Sequence, residues 1–152
     1  MEFQLRELKK TAHKLYAQLQ ELNDVMGGRI VFVGGVVEYL YGSKDKVKDI
    51  DCCVWGDIKP LTTIGPVVMW DNGRRMKIRS NIKDGYKMVD IFRKFPTFKF
   101  FEYEGLKFAT MQSVLDYHNF ALDNNWRWSD KAKEKSRDTI NRLINFLNGK
   151  FY

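Results

Sequence analysis

Apolar residues recur at alternating spacings of three and four along the first stretch of the chain. Leu5, Leu8, Ala12, Leu15, Leu19 and Leu22 make the series, with charged and polar residues between them. That period marks one face of an α-helix and predicts a helix over 2–25, stopped by Gly27 and Gly28. The spacing would also serve a coiled-coil seam. So few heptads are marginal alone, however, so the stripe is expected to pack on its own domain.

The pattern then shortens. RIVFV (29–33) is a β-branched run that predicts a strand, VVEYLY (36–41) a short helix or turn, and DIDCCVW (49–55) a second strand. A loop with Pro60 and Gly65 follows over 56–66. VVMWDNGRRMKIR (67–79) reads as a hairpin with Asp71, Asn72 and Gly73 at its tip. DGYKMVDIFRKF (84–95) reads as a turn and a strand, and the aromatic-rich stretch 96–108 as irregular. Helical period returns after Thr110, an N-cap, with Met111, Val114, Leu115, His118, Ala121 and Leu122 on one face. NNWRW (124–128) is a loop. Ser129 caps a last helix through Asn148, with Ile140, Leu143, Ile144 and Leu147 as its stripe and Gly149 as its end. Helix, mostly β centre and two helices predict an α+β domain with a mixed β-sheet and helices against it.

Composition changes this picture in four ways. With 152 residues, one domain over 1–152 is expected. No apolar run approaches the ~20 residues of a membrane span, and the N-terminus lacks an apolar signal core, so a cytoplasmic location is expected. The net charge of +7 favours an anionic partner such as a nucleotide, a nucleic acid or an acidic surface. The two cysteines, Cys52 and Cys53, are adjacent, point to opposite faces of a strand and have no histidine near them. They are expected to be reduced packing residues rather than a disulfide or zinc site.

The chemistry is concentrated around Asp49-Ile50-Asp51. On a strand, residues i and i+2 share a face with a rise of about 6.6–6.8 Å, while the residue between them points the other way. Two carboxylates held so close repel each other, and a dication relieves that repulsion. Mg²⁺ is typically held by one or two carboxylates plus substrate phosphates, and paired ions about 3.5–4 Å apart can polarise an attacking and a leaving oxygen together. Asp90, between Val89 and Ile91, is a charge inside an apolar run and a candidate third carboxylate. Gly34 and Gly35, between a strand and a helical stretch, let backbone approach a phosphate closely. Ser43, Lys44, Lys46 and Lys48 follow within reach of a triphosphate.

The order of these elements resembles the signature of the DNA polymerase beta-like nucleotidyltransferase superfamily: apolar strand, Gly-Gly, Asp-apolar-Asp, then an acidic residue on a later strand. VGGVVEYLYG…KDIDCCV is similar to the small bacterial aminoglycoside and toxin-type nucleotidyltransferases and, more weakly, to the head of CCA-adding enzymes. GLKFATMQSVLDYHNFAL (105–122) and KAKEKSRDTINRLINFL (131–147) resemble later helices of the small family. The resemblance implies a nucleotidyltransferase-type mixed sheet over 29–95, behind an N-terminal helix over 1–26 and before C-terminal helices over 110–148. It implies transfer of a nucleoside monophosphate from a nucleoside triphosphate, such as ATP, to an acceptor hydroxyl on RNA, protein or a small molecule, with release of pyrophosphate. Asp49, Asp51 and Asp90 would be catalytic and would hold two Mg²⁺ ions, with Mn²⁺ as the substitute. Gly34, Gly35, Ser43, Lys48 and His118 would bind the nucleotide.

Two departures stand out. Glu38 and Tyr39 occupy the positions of the Arg-Asp pair of CCA-adding enzymes, and His118 stands where the small family often has lysine. His118 also lies on the apolar stripe of its helix, where a buried structural histidine is an equal reading. Lys135, Arg137 and Asp138 are read either as approaching the nucleotide or as a surface salt-bridge set. Arg74, Arg75, Lys77 and Arg79 are read either as an edge strand protected by charge or as an RNA-backbone track, with Trp70 or Tyr86 to stack a base. His13 is expected to be solvated. The competing functions are a non-catalytic nucleotide- or RNA-binding protein that keeps the fold, and an interaction domain that dimerises through the first helix.

Overall fold

The computed structural model describes residues 4–71, 75–79, 86–92, 99–124 and 129–149. In chain order the elements are α1 (Leu8–Thr11), α2 (His13–Val25), β1 (Ile30–Val33), α3 (Gly35–Tyr41) and β2 (Ile50–Val54). A 3₁₀ turn (Lys59–Thr63), β3 (Val67–Asp71), β4 (Arg75–Ile78) and β5 (Val89–Phe92) follow. The chain closes with β6 (Phe100–Tyr103), β7 (Leu106–Ala109), α4 (Met111–Asp123) and α5 (Asp130–Leu147). The fold is the expected α+β one: a seven-stranded mixed sheet in the order β3-β4-β5-β2-β1-β7-β6, with helices against it.

The central strands explain their own sequences. All four residues of β1 are buried, as befits a strand between β2 and β7 with both faces covered. In β2, Ile50, Cys52 and Val54 face the core, leaving Asp51 and Cys53 on the other face. Burial pushes the Cys53 thiol up to about 12, so both cysteines are free, protonated packing residues. The two C-terminal helices start where their caps predict. Thr110 Oγ1 accepts from the Ser113 N–H at 3.2 Å, and Ser129 Oγ from the Ala132 N–H at 3.1 Å.

Three expectations need correction. The first apolar stripe does pack inward, with Leu8, Leu15, Leu19 and Leu22 in the core, but the single helix over 2–25 is broken. Ala12 leaves helical geometry (φ −145°, ψ 57°), and α1 is one turn long. Tertiary contacts outweigh the periodicity here. The Leu8 and Lys9 N–H groups donate to the Glu104 carboxylate at 3.0 and 3.4 Å, and the Arg6 N–H donates to the Leu40 carbonyl at 2.9 Å. Second, the described part of 96–108 is no irregular region but the β6–β7 hairpin, which carries the sheet past residue 95. Its turn is Glu104-Gly105, with φ of 50° and 78°, the two positive angles of a primed two-residue turn. Third, β4 is not an edge strand, because it lies between β3 and β5. The hairpin tip at 72–74 and the loop at 125–128 lie outside the described residues.

Glu104 therefore sets both a turn and a distant helix start. Replacing it with Asn, which accepts positive φ but is too short to reach α1, is expected to cost about 1 kcal/mol. Thermal unfolding would show a fall in Tm of roughly 2–4 °C, and amide exchange at Leu8 and Lys9 would accelerate.

Among the described residues, no helix is long and apolar enough to cross a membrane.

Candidate active site

The corner between β1 and α3 is shaped by one glycine. Gly34 has φ 61° and ψ −130°, a conformation that L side chains rarely adopt. A Cβ there would stand 2.6 Å from Asp51 Oδ2. Val33 is the antiparallel partner of Asp51, so the corner brings bare backbone against the carboxylate. The Gly35 N–H donates to Asp51. The amide that the sequence offers to a phosphate is thus already in use by the acid.

Asp51 and Asp90 are register partners on the adjacent parallel strands β2 and β5, and Asp49 immediately precedes β2. All three line one open cavity of about 500 Å³. Asp90 is only 5% exposed. Arg75, on the next strand, donates to both of its oxygens, Nε to Oδ1 at 2.9 Å and Nη2 to Oδ2 at 2.7 Å. Lys77, the cross-strand partner of Asp90, lies 3.8 Å away.

Among the described residues, Asp51 has no such cationic partner of its own. Burial, then repulsion from Asp90 and Asp49, pushes its carboxyl up to about 7, with Arg75 and the Gly35 N–H pulling the other way. The folded protein therefore retains a proton that the unfolded chain gives up near 3.8. Stability from this group is full below pH ~4 and is lost as pH rises toward 7, then levels off. The expected measurement is Tm against pH for the wild type and Asp51→Asn. The variant should come nearest the wild type below pH ~4 and exceed it by several degrees near pH 8. Mg²⁺ should narrow the gap.

Further lining comes from the loop after α3 and from α4 and α5. Lys44, Lys46 and Lys48 line the cavity from the loop, and His118, Lys135, Ser136 and Thr139 from the helices. His118 Nδ1 lies 3.4 Å from Ser136 Oγ, so the ring is at the cavity rather than sealed in the core. Ser43 is not among the lining residues; its hydroxyl turns back to donate to the Glu38 carbonyl at 3.2 Å. Arg137 and Asp138 are exposed and do not line the cavity, and His13 is exposed as expected.

The basic hairpin splits. Arg75 and Lys77 turn into the cavity toward Asp90, and Arg79 is exposed. Arg74 and the side chain of Trp70 lie outside the described residues. Such a split gives no continuous backbone track among the residues described.

Four site residues escape a motif search. Glu38 is 2% exposed, lines the cavity and receives both Arg142 Nε at 2.8 Å and Nη2 at 3.2 Å, with Lys44 Nζ 3.4 Å away. It ties α3 to α5 and thereby closes one side of the site. A charge inside the apolar run VVEYLY is the same signal that marks Asp90. Ser136, Thr139 and Arg142 carry no comparable signal, because they look like an ordinary helix surface.

Asp49 and Asp51 fit a hard divalent cation. They are oxygen donors on one cavity wall, and the repulsion that raises Asp51 is relieved by positive charge. Asp90 fits less well as arranged, because both of its oxygens are held by Arg75. Accordingly, no group of three acidic, histidine or cysteine side chains stands ready to hold a metal among the described residues.

No protein-family model matches the chain, and no curated protein matches it. Solved structures do. The chain is similar to ANT(2″)-Ia, an aminoglycoside nucleotidyltransferase solved with adenylyl-2″-tobramycin, at a TM-score of 0.55 and 14% identity, covering 91% of this chain and 90% of that one. It is also similar to JHP933 from Helicobacter pylori, at a TM-score of 0.51 and 20% identity, over 76% of this chain. There it spans only 57% of the other chain's length. At such identities the likeness is one of fold: the chain has a nucleotidyltransferase-like fold.

Proposed function

We propose that the protein is a nucleotidyltransferase that moves a nucleoside monophosphate from a nucleoside triphosphate onto an acceptor hydroxyl. The observation that carries this reading is the register of Asp51 with Asp90 beside Asp49, at a cavity that Lys44, Lys46, Lys48 and Lys135 also line. The fold shared with ANT(2″)-Ia supports it.

In this reading Lys44, Lys46 and Lys48 neutralise the triphosphate, which lies along the β1–β2 side near Gly34 and Gly35. The acceptor oxygen bonds to the α-phosphorus, the bridging α–β bond breaks, and pyrophosphate leaves with the electron pair. Asp90 takes the acceptor's proton. A divalent cation held by Asp49 and Asp51, Mg²⁺ or in its place Mn²⁺, would supply charge neutralisation of the phosphates. Glu38 and Arg142 hold α3 against α5, so the α5 hydroxyls of Ser136 and Thr139 keep their place at the cavity.

A second reading has one observation in its favour. Arg75 occupies both oxygens of Asp90, the arrangement expected of a non-catalytic protein that only binds a nucleotide. The two readings separate when α-labelled nucleoside triphosphates and Mg²⁺ are incubated with the protein and a cell extract. Label appearing in a small-molecule, RNA or protein fraction supports transfer. Nucleotide bound without label transferred supports the binding reading.

A further inference from the structure

The cavity has a direction, set by the order of the strands. From β1 through β2 and β5 to β4, it presents Gly34, then Asp51, then Asp90, then Arg75 and Lys77. With the triphosphate at the β1 end, the acceptor approaches from the β4 end and passes Asp90. Two cations wait there, and an aromatic ring with them: the Arg75 guanidinium lies 5.4 Å from the centre of Phe92, which also lines the cavity.

We propose that Arg75 and Lys77 select an acceptor bearing an anionic group, a phosphate or carboxylate, close to its reactive hydroxyl. This rests on the nucleotidyl transfer proposed above. Before the acceptor binds, Arg75 holds Asp90 through two charge-assisted hydrogen bonds. The acceptor's anion offers the same planar fork an equivalent partner. Arg75 turns to it, and the Asp90 carboxylate is released beside the hydroxyl whose proton it accepts. The acceptor thus uncovers the base only when its charge is right. A polycationic amino sugar would do the opposite, because it would meet Arg75 and Lys77 at close range and leave the Arg75–Asp90 pair closed.

The rest of the cavity agrees with this charge preference. Lys44, Lys46, Lys48 and Lys135 add four cations to these two, and of the four carboxylates among the described lining residues, Glu38 is already taken by Arg142. The whole chain carries +7. None of the described lining residues offers a cluster of unneutralised acids at the acceptor's end.

The test divides a cell extract on anion and cation exchangers before adding α-labelled nucleoside triphosphates, Mg²⁺ and protein. Label is expected in the fraction that the anion exchanger retains. Arg75→Met should raise the apparent KM for that fraction roughly ten-fold or more, while the KM for the nucleotide stays within about two-fold. Lys77→Met leaves the Arg75–Asp90 pair intact and should show the same bias more weakly, which guards against a simple folding defect in Arg75→Met. Label in the fraction retained by the cation exchanger, or an acceptor KM unmoved by both variants, overturns the anionic acceptor while transfer itself stands. No label in any fraction overturns nucleotidyl transfer, and the acceptor proposal falls with it.

Discussion

Asp51→Asn is expected to lower nucleotidyl transfer by roughly 10³-fold and to leave the protein folded, more stable than the wild type above pH 7. The two effects share one cause. Asp51 is a half-buried carboxylate with two other carboxylates nearby and, among the described residues, no cation of its own, so its charge is held against desolvation and repulsion, which push its carboxyl up to about 7. A side chain of the same shape without the charge removes that repulsion. It also removes the negative charge that a cation and the reacting phosphates would use. A residue kept only for packing would lose stability on substitution, and one kept only for surface charge would change nothing. Loss of transfer together with a gain in Tm is the signature of a carboxylate retained at a cost for chemistry. Transfer would be followed with α-labelled nucleotide and Tm by calorimetry at two pH values.

Gly34→Ala is expected to be nearly as damaging, by roughly 10²-fold in transfer and about 2–4 kcal/mol in stability. The backbone at Gly34 (φ 61°, ψ −130°) is strained for any residue with a Cβ. The added methyl would also sit 2.6 Å from Asp51 Oδ2, so the acid must move or the corner must open. Gly35→Ala is the internal control. A Cβ at Gly35 meets nothing within 4 Å, and Gly35 has no positive φ, so it should be mild on stability. A difference between neighbouring glycines would locate the effect in the approach to Asp51 rather than in the turn as a whole.

These neighbours show what a sequence makes readable. The α+β class, the two C-terminal helices with their Thr110 and Ser129 caps, and the strands β1, β2 and β5 follow from local pattern, because local hydrogen bonding and burial of one face decide them. The meeting of Asp49, Asp51 and Asp90 at one cavity follows from two strands being neighbours, a matter of topology that the order of motifs suggested and the sheet provides. What escaped was decided at long range. The break at Ala12 depends on Glu104, far along the chain, capping α1. The β6–β7 hairpin was hidden because its aromatic strands lack alternation, although Glu104-Gly105 is a turn signal of the primed type. The role of Arg75 could not be seen in a run of basic residues, because only the β4–β5 register turns it onto Asp90. Glu38 departs from the motif of CCA-adding enzymes, and only its burial against Arg142, from a distant helix, makes it part of the cavity wall.

The most direct test of the central claim is positional. The wild-type protein would be given nucleoside triphosphate labelled at either the α- or the γ-phosphate, with Mg²⁺ and cell extract, and both the labelled product and pyrophosphate would be counted. Nucleotidyl transfer predicts α-label on the acceptor, no γ-label there, and one pyrophosphate released for each transfer. Label from the γ-phosphate on the acceptor, or nucleotide binding by folded protein with no transfer from either position, would contradict it.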